Sequence, residues 1–552
     1  MSVRSWRALG ALFLVVYATI LAATWRPAII GADDHGYALQ GTLFEEGRTW
    51  FALDSPIQYV GMHSLRDDSA RYVSRYSPGM AILVAAVTRT ASVEASTAIN
   101  AVLALVTLAG LGMLVGTRLG ERWGVLAMVA LGVSPVFIGQ TLLLQSHMAV
   151  TALLVWGVHL LLRWRERGEA WRAFFAGLLL GFIPIVRPSE AVLGLGVGWI
   201  FLTTARAGER PWRHVALAIV GALTAIAPLL LYNKITFGSV ARTAYAISRE
   251  QSAFDVRHVA SNLPFYAEYL LRDGLGIFAL LAVAGIFYLL RARGSRVMGC
   301  TLLVLIAPIL AVYLAFHYVP NNDPSVTVRY VLPTLPLATY AAISLISDLT
   351  ARWSAFARSS AVGLLLVGHV AWGAIGIDPM TRRLFARKDR AATVNRAALE
   401  LVPPGSVIFS SEEAFLANLD IKRSWRVADR LLSLDSIDNA VLDGELPQRG
   451  MGRQQGKRRI QTVRFDSLDA QQRDSLFGEE ARRWGRGADV YYVGVASALD
   501  HPTSPRVRRE SFVIVAERPL NVWRRARRSE KGALVASESL VVARWKDSTV
   551  GR

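Results

Sequence analysis

Residues 8–37 read ALGALFLVVYATILAATWRPAIIGADDHGY, an apolar run followed by an adjacent pair of acids. The run from about Ala8 to Thr24 carries no charge, and further stretches of similar length follow it along the chain. A bilayer core requires about 20 predominantly apolar residues per helix. The sequence therefore predicts an α-helical polytopic membrane protein with about eleven transmembrane helices. The predicted spans are 8–25, 96–117, 123–140, 147–162, 171–186, 189–205, 214–232, 273–290, 297–316, 330–347 and 360–377.

The overall composition points to the same class. Of the 552 residues, 53% are hydrophobic and only 19% are charged, which is too apolar for a soluble globular enzyme. The net charge is +19, but the arginines lie between the apolar spans, as membrane topology requires. We therefore expect contact with membrane lipids and no nucleic-acid partner. The single cysteine, Cys300, excludes an intrachain disulfide.

The arginines also predict the orientation. Arg4 and Arg7 precede the first span and place the N-terminus in the cytoplasm. If the short apolar stretch 78–90 lies in the interface or re-enters, every later arginine cluster between spans, such as Arg163 to Arg172, is cytoplasmic. If that stretch crosses, all of these clusters face outside. The first alternative satisfies the positive-inside rule, and it predicts a multi-pass protein of the inner or plasma membrane.

The chain divides into two predicted domains. Residues 1–377 form a transmembrane domain with an outer loop at 29–95, and residues 378–552 form an extracytoplasmic soluble α/β domain. Strands are expected at Ser406–Ser410, Val490–Val495, Phe512–Ala516 and Leu540–Trp545, with a helix near Ala391–Leu401.

The acid pair Asp33 and Asp34 is the main candidate for catalysis. Carboxylates at a membrane surface are costly and are kept mainly where they function, although a single solvated loop acid would need no such explanation. A carboxylate can take a proton from an acceptor hydroxyl or hold a divalent cation such as Mg²⁺ or Mn²⁺. The sequence does not establish a metal requirement.

Basic and aromatic residues at the outer ends of several spans are candidates for binding a phosphate. Arginine guanidiniums match phosphate oxygens bidentately and would stabilise a leaving phosphate as its charge grows. Structural roles compete with this interpretation, because a helix-end histidine or an interfacial arginine needs no ligand. The predicted donor-phosphate residues are Arg75, His147, Arg187, Arg242, Arg329 and Tyr330.

The order of these motifs resembles that of the polytopic GT-C glycosyltransferases, including protein O-mannosyltransferases and aminoarabinose transferases. The matching segments are 33–37, 76–79, 146–148, 187–188, 231–233 and 329–333. The resemblance implies a GT-C-like fold and an inverting transfer of a sugar from a polyprenyl-phosphate donor at the outer face of the membrane. The implied acceptor is a hydroxyl of a lipid, glycan or protein. Asp33 matches the family's catalytic acid, whereas Asp34 stands where the family usually has glutamate.

Two other classes are open at this stage. A secondary transporter would have charged or unwound residues near mid-bilayer and interrupted helices in two halves. A membrane-anchored protein of cell-envelope assembly would act through its tail and leave the acid pair without a role. The clean spans and the polar residues at their outer ends favour the enzyme.

The orientation can be tested by cysteine labelling in a Cys300→Ser background. We expect cysteines placed in the tail to react with a membrane-impermeant maleimide in intact cells, because the arginine distribution places the tail outside. A cysteine in the loop that carries Arg352 is the control and should react only after permeabilisation. A tail that also requires permeabilisation would contradict this topology.

Overall fold

The computed structural model describes most of the first 403 residues and the strands of the C-terminal part. The described residues are 2–52, 64–67, 71–206, 212–248, 253–317, 327–403, 406–410, 431–433, 489–496, 509, 512–522 and 536–546. The chain divides into two compact units. The helical unit comprises Met1–Trp25, Ser77–Met80 and Ala98–Thr381, and the mixed unit comprises Arg26–Tyr76, Ala81–Thr97 and Arg382–Arg552.

The helices follow the apolar stretches of the sequence. The first seven are α1 Val3–Thr24, α2 Ala32–Glu45, α3 Pro78–Thr90, α4 Val93–Ser96, α5 Ile99–Leu119, α6 Glu121–Gly132 and α7 Pro135–Thr141. The next five are α8 Ser146–Arg167, α9 Ala170–Val186, α10 Gly194–Arg206, α11 Trp212–Phe237 and α12 Ala244–Ser248. The last five are α13 Val259–Tyr269, α14 Ile277–Arg291, α15 Arg296–Leu314, α16 Leu335–Leu349 and α17 Ala355–Leu401.

The helices confirm a polytopic integral membrane protein. Among the described residues, seven helices are long and apolar enough to cross a bilayer, or nine if two bent pairs each form one span. One predicted span, 123–140, is a bent pair: α6 and α7 meet at 74° just before Pro135. Two more predicted spans correspond to the shorter helices α9 and α10. Eleven spans therefore remain a prediction, although each predicted stretch is helical.

Small residues allow the helices of the helical unit to pack closely. A Cβ added at Gly177 of α9 would clash with the backbone of Ala218 in α11. Likewise, a Cβ added at Gly221 of α11 would clash with the backbone of Phe174 in α9. Gly285 of α14 lies equally close to the backbone of Ala341 in α16. Membrane helices are held together largely by such van der Waals contact, since lipid supplies no hydrophobic drive between them.

Two spans form the centre of the helical unit. In the apolar part of the span Ser146–Arg167, 78% of the residues are buried, and in that of Arg329–Leu349 the share is 89%. In α1 only 11% of the corresponding residues are buried. The 3₁₀ turn Arg329–Thr334 opens the second of these spans. Polar residues at the ends of these two helices are consequently enclosed by protein.

The mixed unit contains two sheets. Three short strands, β1 Trp50–Phe51, β2 Ser64–Arg66 and β3 Tyr72–Ser74, pair antiparallel in the order β1-β3-β2. Helix α2 packs on this sheet through a small core that includes Leu43, Phe51 and Tyr72. The second sheet has the order β5-β4-β6-β8-β7, and its strands are β4 Val407–Ser410, β5 Leu431–Ser433, β6 Val490–Val495, β7 Phe512–Val522 and β8 Ala536–Trp545.

The second sheet confirms that the tail contains strands, as the sequence predicts; its solubility remains a prediction. All four predicted strands are present, and the predicted helix near 391–401 is the last part of α17. Apolar residues of that part, including Val394 and Ala397, share a core with Ile408, Val493 and Val542 of the sheet. Helix α17 runs without a break from the apolar stretch 360–377 to Leu401.

Candidate active site

The acid pair lies in the first turn of α2, which begins after Gly31. Carboxylates at a helix N-terminus interact favourably with its unpaired amides and its dipole. The two acids differ in exposure, because Asp34 is only 1% exposed whereas Asp33 is half-buried. The helix itself was not predicted, although a glycine followed by two acids is a helix-start signal.

Tyr76 fixes the more exposed acid. Its hydroxyl donates a short hydrogen bond to Asp33 Oδ1, and its ring stacks on Tyr37 with the centroids 4.4 Å apart. Gln40 of α2 donates to the carbonyl oxygen of Tyr76 at 3.2 Å, which holds the tyrosine against the same helix. Burial and the negative charge of Asp33 raise the pKa of Tyr76. The phenol therefore keeps its proton and donates a hydrogen bond to the carboxylate of Asp33.

A second group of polar residues lies within the helical unit, and we call it the arginine cluster. Its members come from five helical segments, and the sequence predicted four of the six for one function. The arginine cluster consists of His147, Arg187, Glu190, Tyr313, Arg329 and Tyr330. Arg187 ends α9, and Pro188 directly after it starts the 3₁₀ turn Pro188–Leu193 that carries Glu190.

Arg187 is the centre of the arginine cluster. Its Nε donates to Glu190 Oε1 at 2.9 Å, and its Nη2 donates to the hydroxyl of Tyr313 at 2.7 Å. Its Nη1 lies 3.2 Å from Ser146 Oγ and 3.4 Å from His147 Nε2. The Glu190 side chain is fully buried, so this is a buried ion pair whose carboxylate also accepts from Tyr313 at 2.8 Å.

Tyr330 joins the two arginines. Its ring stacks on Tyr313 at 5.1 Å and meets His147 edge-on at 5.3 Å. The guanidiniums of Arg187 and Arg329 lie 5.8 Å and 5.1 Å from its ring centroid, within cation–π range. Arg329 also donates to Gln145 at 3.0 Å.

The arginine cluster contains two guanidiniums and the one carboxylate of Glu190. The planar fork of donors on a guanidinium matches the oxygens of an anion such as phosphate. Arg187 donates toward His147 Nε2, which places the imidazole proton on Nδ1. That Nδ1 is buried and has no hydrogen-bond partner among the described residues. A phosphate oxygen would match both properties.

The remaining two predicted phosphate ligands lie elsewhere. Arg242 is exposed in the turn between α11 and α12 and is not part of the arginine cluster as the structure describes it. Arg75 lies in the mixed unit, where its charge acts on the phenol of neighbouring Tyr76. Their roles in phosphate binding remain predictions.

Sequence reasoning missed two members of the arginine cluster as functional residues. Tyr313 lies inside an apolar stretch, where a tyrosine gives no signal of a polar partner. Glu190 follows Arg187 by three residues in a segment predicted to span the membrane, and that i,i+3 spacing was an available signal. In the described part of the chain, no group of three or more His, Cys, Asp or Glu side chains could hold a metal ion.

Comparison with known proteins establishes the fold. No protein-family model and no curated protein sequence matches the chain. The structure is similar to the crystal structure of ArnT from Cupriavidus metallidurans bound to undecaprenyl phosphate, with a TM-score of 0.59 and 13% identity over 98% of each chain. It is likewise similar to ArnT from the same organism in the apo state, with a TM-score of 0.60 and 12% identity over 98% of each chain. The predicted GT-C-like fold is thereby confirmed, and at this identity the likeness concerns the fold alone.

The buried ion pair of the arginine cluster can be tested for stability. We expect Glu190→Gln to lower the free energy of unfolding by about 3 kcal/mol, since it leaves the Arg187 charge buried without its partner. The matched control is Glu268→Gln, whose carboxylate pairs with Arg272 at 2.9 Å on the surface. This exposed pair should contribute less than about 1 kcal/mol. Denaturant unfolding of both variants in detergent is the measurement, and equal losses would contradict the role assigned to Glu190.

Proposed function

We propose that the protein is a membrane glycosyltransferase that moves a sugar from a polyprenyl-phosphate donor to a hydroxyl of a lipid, glycan or protein acceptor. The main support is a half-exposed carboxylate, Asp33, held by Tyr76 in a fold shared with ArnT, a protein crystallised with undecaprenyl phosphate. A polyprenyl phosphate consists of an apolar chain and an anionic head. An integral membrane protein that contains a cationic cluster suits both parts.

Asp33 would be the general base. It would accept the proton of the acceptor hydroxyl while the hydroxyl oxygen forms a bond to the anomeric carbon of the sugar. The bond from that carbon to the donor phosphate oxygen breaks, and the phosphate leaves with the electron pair. Attack on the face opposite the phosphate inverts the anomeric centre.

The two acids suit different roles. Asp33 is half-buried and therefore accessible to an acceptor, whereas Asp34 is nearly inaccessible. Tyr76 keeps its proton and donates a hydrogen bond to Asp33 Oδ1, which orients the carboxylate that would act as the base. We therefore assign the proton transfer to Asp33 and a supporting role to Asp34.

The arginine cluster would bind the donor phosphate. Its two guanidiniums would stabilise the negative charge that the leaving phosphate gains in the transition state. Arg329 lies beside Tyr330, and His147 Nδ1 is a buried donor without a partner in the described residues. Arg187 is held by Glu190 and Tyr313, so it would act as a fixed charge. The arginine distribution of the sequence supports reaction at the outer face.

The general base can be tested directly. We expect Asp33→Asn to reduce transfer at least 100-fold, because the amide keeps the shape of the carboxylate and loses its basicity. The assay is turnover of a polyprenyl-phosphate sugar and a hydroxyl acceptor by purified protein. Glu46→Gln is the control, since this exposed acid follows the same helix and pairs with the exposed Arg48.

Two other outcomes are informative. Near-normal turnover by Asp33→Asn would move the base to Asp34, which the Asp34→Asn variant would then show. Movement of the polyprenyl-phosphate sugar across proteoliposomes without any transfer would favour the transporter alternative. The two bent helix pairs, at 74° and 115°, are the feature of the fold that a transporter would share.

The phosphate site can be tested by charge-conserving substitutions. We expect Arg187→Lys and Arg329→Lys to lower kcat/KM by about 30- to 1,000-fold, since a lost charge-assisted contact costs roughly 2–4 kcal/mol. Lysine keeps the positive charge and loses the planar fork of donors. Arg257→Lys is the control, because this arginine pairs only locally with Asp255 and its side chain is 86% exposed. Unchanged kinetics in both cluster variants would place the donor phosphate elsewhere.

A further inference from the structure

A basic run follows the apolar stretch 360–377 within α17, and one of its members is buried. Residues 382–390 read RRLFARKDR, so five of these nine residues are basic. Arg382 and Arg387 are exposed, as such residues usually are, but Lys388 is only 3% exposed. A lysine is almost never fully buried unless a partner compensates its charge. Its surroundings in the mixed unit therefore indicate what it does.

The basic run holds the segment that leads into the acid pair. Lys388 Nζ donates to the carbonyl oxygen of Arg26 at 2.9 Å, and Arg387 Nη2 donates to the carbonyl oxygen of Ile30 at 2.6 Å. In return, Arg26 Nε lies 3.0 Å from a carboxylate oxygen of Asp389. Three successive residues of α17 thus fix both ends of the segment 26–30. Asp33 and Asp34 begin α2 directly after that segment.

Lys388 also faces the buried acid. Its ammonium interacts with the carboxylate of Asp34, which is 1% exposed, and with the positive charge of Arg26. On its own helix the neighbouring charges are those of Arg387 and Asp389. Removing either member of a buried pair of opposite charges leaves the other uncompensated, so such a pair is energetically coupled.

We propose that Lys388 is a positioning residue for the acid pair: its buried ammonium, anchored to the carbonyl of Arg26, and the neighbouring Arg387, anchored to the carbonyl of Ile30, fix the segment that leads into the first turn of α2 and thereby place Asp33 and Asp34. This inference rests on the proposed function in assigning catalysis to Asp33 beside it. It gives the part of α17 beyond residue 381 a role in the reaction, although that part carries no catalytic group of its own.

The protonation of Lys388 links this role to pH. Burial lowers the pKa of Lys388 from 10.5 to about 8, and the carboxylate of Asp34 opposes that shift. The ammonium is therefore present below about pH 8 and is lost as the pH rises through that value. Loss of the ammonium removes a positive charge that attracts Asp34 and weakens the anchor on the carbonyl of Arg26, so positioning of the acid pair should weaken on the alkaline side.

A purely structural lysine would behave differently. If Lys388 only satisfied the carbonyl of Arg26, its loss would lower stability without any dependence on Asp34. If it acts on the acid pair, its effect must change when Asp34 is neutral. The two cases are separated by a double-mutant cycle and by a pH profile.

The first experiment requires no activity. The thermal midpoints of the full-length wild type, Lys388→Met, Asp34→Asn and the double variant are compared in detergent at pH 7. We expect each single variant to lower the midpoint and the double variant to lower it by less than the sum of the two. Additive losses would overturn the proposal. Because this cycle reads stability alone, its outcome is independent of whether the proposed transferase function is correct.

The second experiment follows kcat/KM against pH with a polyprenyl-phosphate sugar donor. We expect Lys388→Met to shift the acidic limb upward by about 1 pH unit, since the carboxylates lose a nearby positive charge. Lys388→Arg keeps a charge at high pH, so it should retain the wild-type acidic limb and lose the alkaline limb near pH 8. An acidic limb of Lys388→Met that coincides with that of the wild type would overturn the proposal.

Arg396→Met is the matched control for both experiments. Arg396 is an exposed basic residue further along the same helix, and its loss should leave the midpoint and the pH profile unchanged. A wild-type protein that transfers no sugar would argue against the proposed function instead. Additive midpoints together with normal wild-type turnover would reject only the role of Lys388.

Discussion

Charge burial is the constraint on which the functional parts of this protein depend. A buried ion is expensive unless an opposite charge and further hydrogen bonds compensate it. In the helical unit, the guanidinium of Arg187 is compensated by Glu190 and by the hydroxyl of Tyr313. In the mixed unit, the buried ammonium of Lys388 donates to the carbonyl oxygen of Arg26 and attracts the carboxylate of Asp34. Each pairing draws on residues distant in sequence, so each ties a catalytic candidate to the packing of its unit.

These arrangements also leave groups for chemistry. Asp33 accepts a hydrogen bond from Tyr76 and remains half-exposed, while Asp34 beside it is buried and has a structural role. Similarly, Glu190 pairs with Arg187 in the arginine cluster, while Arg329 donates to Gln145 and to Tyr330. Fixed dipoles and charges that need no reorganisation during the reaction are the most effective form of electrostatic catalysis.

The fold could be predicted largely from hydropathy, because spans and buried strands have strong periodic signals. Strand Val490–Val495 was predicted to the residue, and every predicted span is helical. The break before Pro135 was missed because apolar composition continues through it. Helix α2 was missed because its apolar residues do not form a long run.

The candidate site was less predictable, for a physical reason. Polar residues at helix ends can be recognised one by one, which brought His147, Arg187, Arg329 and Tyr330 together correctly. Their partners cannot be recognised in this way, since Tyr313 is one tyrosine in an apolar helix and Lys388 is one of several basic residues in a run. Only tertiary packing distinguishes Lys388 from its exposed neighbour Arg387. The acid pair stood out in the sequence because its carboxylates are adjacent. Lys388 lies more than 350 residues further along the chain, so only the folded structure shows that it donates to Arg26, just before the acid pair.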